Sequence, residues 1–152
     1  MSEFAKALKE TREEKEALER ELLERLRSRL PELEALFEEI GSHWHGEDGF
    51  YRFYHGSFKV ARLRDDTKAI VTALRELLPG RELNERFLQI IEEGAGNRKP
   101  RRFCETGRRI VEAFFHARTM LQFAIQYGRE LKEPPSMLPS GWAAVLYLYN
   151  LR

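Results

Sequence analysis

The chain has a single cysteine, Cys104, in 152 residues, so no disulfide can close within it. No apolar run approaches the length of about 20 residues needed to cross a bilayer. The opening MSEFAKALKETREEKEALER holds no apolar stretch of signal-peptide type. No segment alternates apolar and polar residues, and no repeat recurs at a fixed spacing. Glycine-rich phosphate loops, dinucleotide fingerprints and nucleophile elbows are missing too, Ser57 between Gly56 and Phe58 fitting none of them. These absences exclude a disulfide scaffold, a membrane-spanning helix, a strand-based fold and the common nucleotide-binding motifs. The expected setting is a reducing one, the cytoplasm, with no membrane contact.

What the chain does have is helix-forming sequence in quantity. A 152-residue chain buries roughly two thirds of its unfolded surface, enough for one core without staples. Hydrophobic residues at 42% and charged residues at 34% argue against wholesale disorder. Between Glu13 and Glu39 there is neither glycine nor a β-branched residue. Leu22, Leu26, Leu30, Leu33, Leu36 or Phe37, and Ile40 recur at steps of three and four and mark one helix face. Pro31 predicts a break or kink near Leu30 with the helix restarting at the proline, and Gly41 predicts its stop. Residues 1–17 offer few apolar positions (Phe4, Ala7, Leu8 and Ala17) and are expected to be frayed or to project.

Further helices follow from the same spacing rules. Phe50, Phe53, Tyr54, Ser57, Phe58 and Ala61 form an aromatic stripe. Ile70, Val71, Leu74, Leu77 and Leu78 form a second register, with Asp65, Asp66 or Thr67 as a candidate cap at a bend between the two. A short helix is predicted over 82–93 and a long one over 106–131, apolar around most of its circumference and therefore central. The stretch EPPSMLPSG, over residues 133–141, cannot be helical and reads as a rigid strap. Ser140 is the expected cap of a last helix, from Gly141 to about Asn150, that has almost no polar face and must be covered. The fold predicted is all-α: one domain over 1–152, a bundle of five or six mostly antiparallel helices, with a long kinked N-terminal helix and a buried apolar C-terminal helix.

Charge is uneven along this nearly neutral chain. Residues 1–40 carry twelve glutamates against eight lysines and arginines, a net of −4. Arg98, Lys99, Arg101, Arg102, Arg108 and Arg109 then face one anion, Glu105, within 97–109. With Phe103 as a stacking residue, that segment is the candidate for phosphate or nucleic acid. The overall neutrality argues against a nucleic-acid partner, and pairing of these cations with the glutamate-rich N-terminal helix is the plainer account.

Histidine is sparse but clustered, three of four lying between His43 and His55. His43, His45, Glu47, Asp48, Tyr51 and His55 supply the donor types that zinc, iron and manganese favour, so a divalent metal is the one cofactor the sequence suggests. Asp48 and His55 lie two helical turns apart, about 10 Å, which rules out direct coordination of one ion by both. The plainer account makes Glu47 and Asp48 first-turn anions and the histidines loop residues. His116 stands apart on the central helix, where polar groups need partners, with Glu112 one turn before it. Arg118, Gln122 and Gln126 advance by four residues and are the candidate lining of a pocket for an anionic or amide-bearing ligand, or else an ordinary solvent-facing stripe. Cys104 follows several cations but has no base nearby, His116 lying about 18 Å along a helix.

The expected function is therefore a non-enzymatic helical module of bacterial-cytoplasm type that binds a partner or ligand. The alternative is a metal-dependent oxidoreductase or hydrolase built on the His43 to His55 cluster, and third comes nucleic-acid binding through Arg98 to Arg109. The apolar terminal helix and the thinly apolar leading helix predict a homo-oligomer, most simply a two-fold dimer.

Overall fold

A computed structural model describes residues 2–43, 59–86, 105–135 and 137–151, with side chains described for all of these except 59–61 and 105–111. Five helices are present and no strand occurs among the described residues: α1 (Glu3–Ser28), α2 (Leu30–Ser42), α3 (Lys59–Arg75), α4 (Glu105–Glu130) and α5 (Ser140–Leu148). None is long and apolar enough to cross a membrane. The all-α bundle expected from the spacing of apolar residues is the architecture found.

α4 touches each of the other four helices. It does so because its inward face is small and apolar: Ala117, Leu121 and Ala124 are fully buried, with Phe114 and Ala113 nearly so. Two alanines let neighbouring helix axes approach while Leu121 fills the space between them. Gly128 continues the device. A Cβ there would stand 3.3 Å from the Leu30 side chain and 3.4 Å from the Leu26 carbonyl, so the bare backbone is what lets α1 pass close by. The rest of its apolar circumference is less enclosed, with Phe115 at the surface and Phe123 half-buried.

Pro31 explains the boundary between α1 and α2. α1 ends at Ser28, Arg29 leaves helical geometry with φ −104° and ψ 7°, and α2 resumes with the proline in its first turn. Gly41 does not stop α2, contrary to expectation. The helix runs on to Ser42, whose hydroxyl donates to the Glu39 carbonyl, and His43 closes it with its N–H on Ile40.

α3 is continuous across Asp65 to Thr67, so no new helix starts there. Thr67 donates its hydroxyl to Leu63 O at 2.6 Å within the helix, and Asp66 is buried against His43, leaving neither to act as a cap. Ile70, Leu74 and Leu77 are fully buried and Val71 and Leu78 nearly so, as their register predicted. The aromatic stripe from Phe50 to Phe58 lies outside the described residues. The helix predicted over 82–93 starts later, because residues 81–84 are non-helical and Asn84 Oδ1 accepts from Arg86 N–H at 3.1 Å; its remainder lies outside the described residues.

The C-terminal helix is covered by its own chain. Trp142 and Val145 are fully buried, Leu146, Leu148 and Tyr149 almost so, and Tyr127 meets the Trp142 ring edge-on at 5.4 Å. This removes the C-terminal half of the argument for a homo-oligomer. Ser140 does not cap α5; it lies inside the helix and Pro139 is the residue before it. The other end is a complete stop: Asn150 takes φ +54°, its N–H bonds to Tyr147 O, and Leu151 N–H bonds back to Leu146 O. That six-to-one bond with a left-handed residue before it satisfies the last carbonyls. Asn84 N–H takes the Leu148 carbonyl at 3.0 Å and ties the segment after α3 to α5.

Two substitutions on α5 and its end test this packing in opposite directions. A Cβ on Gly141 would sit 2.6 Å from Tyr127 Oη and 2.7 Å from the Phe123 ring. Gly141→Ala is expected to destabilise by about 1–3 kcal/mol through overpacking. Tyr149 Oη is buried with no hydrogen-bond partner among the described residues, so Tyr149→Phe is expected to leave stability unchanged or raise it by about 1 kcal/mol. Denaturant melts of both variants check the pair.

Candidate binding grooves and an imidazole–carboxylate pair

The stripe Arg118, Gln122 and Gln126 faces α2, and its members fare differently. Arg118 is half-buried, its guanidinium carbon 5.0 Å from the centroid of the Phe37 ring. Gln122 and Gln126, both exposed, line a groove of about 460 Å³ between α2 and α4 with Phe37 and Ile125. Its remaining wall is charged: Glu34, Glu38, Arg129 and Glu130. Arg129 is committed to Glu34 at 3.0 Å, and Gln126 Nε2 donates to Glu130 at 3.5 Å. Three glutamates and one neutralised arginine make the groove acidic, which disfavours the anionic ligand expected from Arg118 and leaves amide-bearing or cationic groups as the better match.

A second groove, about 660 Å³, separates α1 from the strap after α4. Leu23, Pro134, Pro135 and Leu138 provide its apolar part, and Arg12, Arg27 and Lys132 lie among the charged residues around it. Sequence reasoning read the strap as rigid but did not find this groove, because nothing in local spacing says which helix a proline-rich segment will lie beside. Glu19 faces it and is buried, with Lys15 at 3.8 Å one turn away. Burial raises the Glu19 carboxyl above the ordinary carboxylate range, and the Lys15 charge opposes the shift.

His43 is the one member of the expected metal cluster among the described residues; His45, Glu47, Asp48, Tyr51 and His55 lie outside them. It stands at the C-terminal end of α2, and its Nδ1 is 3.0 and 3.2 Å from the two carboxylate oxygens of Asp66 on α3. Asp66 is 4% exposed, whereas the His43 side chain keeps 23% of its surface. Among the described residues no three histidines, cysteines, aspartates or glutamates gather as a metal site. Sequence reasoning missed Asp66 as a partner because it saw only a helix-capping residue type. A seven-residue spacing between Leu63 and Ile70, both buried, was the available signal: Asp66 and Thr67, between them, share that inward face.

The basic segment is mostly outside the described residues as well. Arg98, Lys99, Arg101, Arg102 and Phe103 belong to that part, and Arg108 and Arg109 fall in the first turns of α4 where side chains are not described. His116 and Glu112 are exposed on α4, so water satisfies the polar groups that an enclosed helix would have left needing partners. Comparison with protein-family models, curated proteins and solved structures returns no match to this chain.

Glu19 gives a pH test. A carboxyl whose folded value is raised favours the folded state when protonated, so its contribution is present in acid and is lost as pH rises through the folded value. Glu19→Gln is therefore expected to raise the midpoint of thermal unfolding slightly at pH 7, by less than about 1 kcal/mol of stability, and to give no gain at pH 3. Equal effects at both pH values would contradict the assignment.

Proposed function

We propose that this chain is a non-enzymatic helical module of the cytoplasm that binds a ligand or partner, using the groove between α2 and α4. The observation that carries the reading is the convergence of Phe37, Gln122, Ile125 and Gln126 on one concave surface. Its volume falls in the range of small-ligand sites, and it pairs an apolar floor with a few polar groups able to fix orientation. Gln122 and Gln126 are exposed, so their removal costs the bundle little and separates recognition from folding. Protein NMR with a panel of amides, diamines and dicarboxylates is expected to move the Phe37, Gln122 and Gln126 resonances for amide or amine members. Those shifts should vanish in a Gln122→Ala, Gln126→Ala double variant that melts like the parent. Ligand shifts confined to other parts of the molecule would contradict this use of the groove.

The same reading includes self-association through the start of α1. Phe4 is 74% and Leu8 52% exposed on a helix that has no buried apolar residue before Leu22. Sedimentation of the full chain at micromolar concentration is expected to give a dimer that Leu8→Glu dissociates; a monomeric parent would remove this element.

A second reading, a metal-dependent protein, is favoured by the contact between His43 and Asp66. Histidine ligands of metal ions commonly give their other ring N–H to a carboxylate. Elemental analysis of untagged, chelator-free protein is expected to find about one divalent metal per chain on this reading; metal-free folded protein counts against it. Nucleic-acid binding through Arg98 to Arg109 gains no support from the described residues.

A further inference from the structure

α1 is 26 residues long, and its buried residues, Glu19, Leu22, Leu23 and Leu26, all fall in its C-terminal part. The stretch from Glu3 to Leu18 is about 24 Å of helix with nothing buried. Ser2 caps it, its hydroxyl accepting from Ala5 N–H at 3.1 Å, but a helix of this length is marginal in water without a surface to pack on. Gly128, two residues before α4 ends, meets α1 at Leu26, and the groove between α1 and the strap extends from Arg27 back to Arg12. Before Arg12 the helix carries Phe4 and Leu8 into solvent. Leu8, Arg12, Glu19 and Leu23 succeed one another by four, seven and four residues, so Leu8 lies on the helix face that walls this groove. One face of α1 thus holds an uncovered apolar start and, further along, a groove floored by Leu23, Pro134, Pro135 and Leu138.

We infer that this groove receives the start of α1 from a second copy of the chain, the two α1 helices running antiparallel about a two-fold axis, with each copy's Phe4 and Leu8 against the other's Leu23, Pro134 and Leu138. This rests on the self-association proposed for the start of α1 and deepens it by naming the surface that receives it. The antiparallel sense follows from the order of the two features. The groove lies C-terminal to the apolar start on the same helix, so opposed helices bring both starts onto both grooves and the contact closes on itself. Parallel helices would set start against start and leave the grooves open. Charge agrees with this occupant. Five cations and four glutamates line the groove, a net of 5 − 4 = +1, and Glu3 and Glu10 balance Lys6 and Lys9 in the incoming segment. A surface so nearly neutral gives no general attraction to a polyanion or a polycation, while mixed signs on both sides allow pairs across the contact.

Paramagnetic relaxation between differently labelled copies reads the contact directly. One full-length Cys104→Ser chain carries a nitroxide at Lys6→Cys, an exposed position off the Leu8 face, and is mixed with an isotope-enriched Cys104→Ser chain that carries none. Broadening is expected at the amides of Leu23, Lys132 and Leu138 of the enriched copy, although Lys6 and Leu23 within one copy stand about 25 Å apart along α1. Leu138→Glu, at a half-exposed position far in sequence from the start of α1, is expected to weaken the dimer about 10-fold or more in sedimentation with helical content retained. Broadening confined to the first turns of α1, or a Leu138→Glu chain that dimerises as tightly as the parent, would overturn the groove as the receiving surface while leaving self-association standing. A parent chain that sediments as a monomer would overturn both.

Discussion

Burial of one face of α4 is the constraint from which the rest of the molecule follows. That helix buries Ala117, Leu121 and Ala124 completely and contacts each of the other four described helices. α1, α2, α3 and α5 are therefore held less by one another than by a shared central surface. Small side chains make this possible. Alanines on the α4 face and Gly128 toward α1 set how closely backbones approach, and the larger leucines of the outer helices fill what remains.

Polar interactions sit at the margins of that core and do a different job. Arg129 with Glu34 and Arg29 with Glu76 join elements far apart in sequence, yet both pairs are solvent-facing and contribute little stability. Their effect is on register, since each is satisfied in only one arrangement of its helices. His43 with Asp66 is of another kind, because the acid is buried. It fixes the end of α2 against the middle of α3. The α2–α4 groove and this pair both involve α2, which places the two candidate functions on one helix.

Much of the fold was legible because helix periodicity is local. The core positions Leu22, Leu26, Leu33 and Ile40, and then Ile70 through Leu78, could be read from their spacing alone, as could the central rank of the helix after 105. Terminators were less legible, since a glycine or serine acts only through the backbone angle it adopts: Gly41 stays helical and Ser140 does not cap, while Asn150 supplies a left-handed stop that no glycine announced. The candidate site was half legible. Gln122 and Gln126 could be placed on one stripe, but the acidic wall opposite them comes from α2, and Asp66 pairs with a residue twenty-three positions away. Contacts between helices are set by packing, which spacing within one helix does not encode.

Native-state hydrogen exchange tests the central role of α4 most directly. Amides from Ala117 to Ile125 are expected to be the slowest in the chain, exchanging only through global unfolding, while those before Lys15 in α1 exchange through local opening many orders of magnitude faster. Protection in α4 no greater than at the start of α1 would contradict the account.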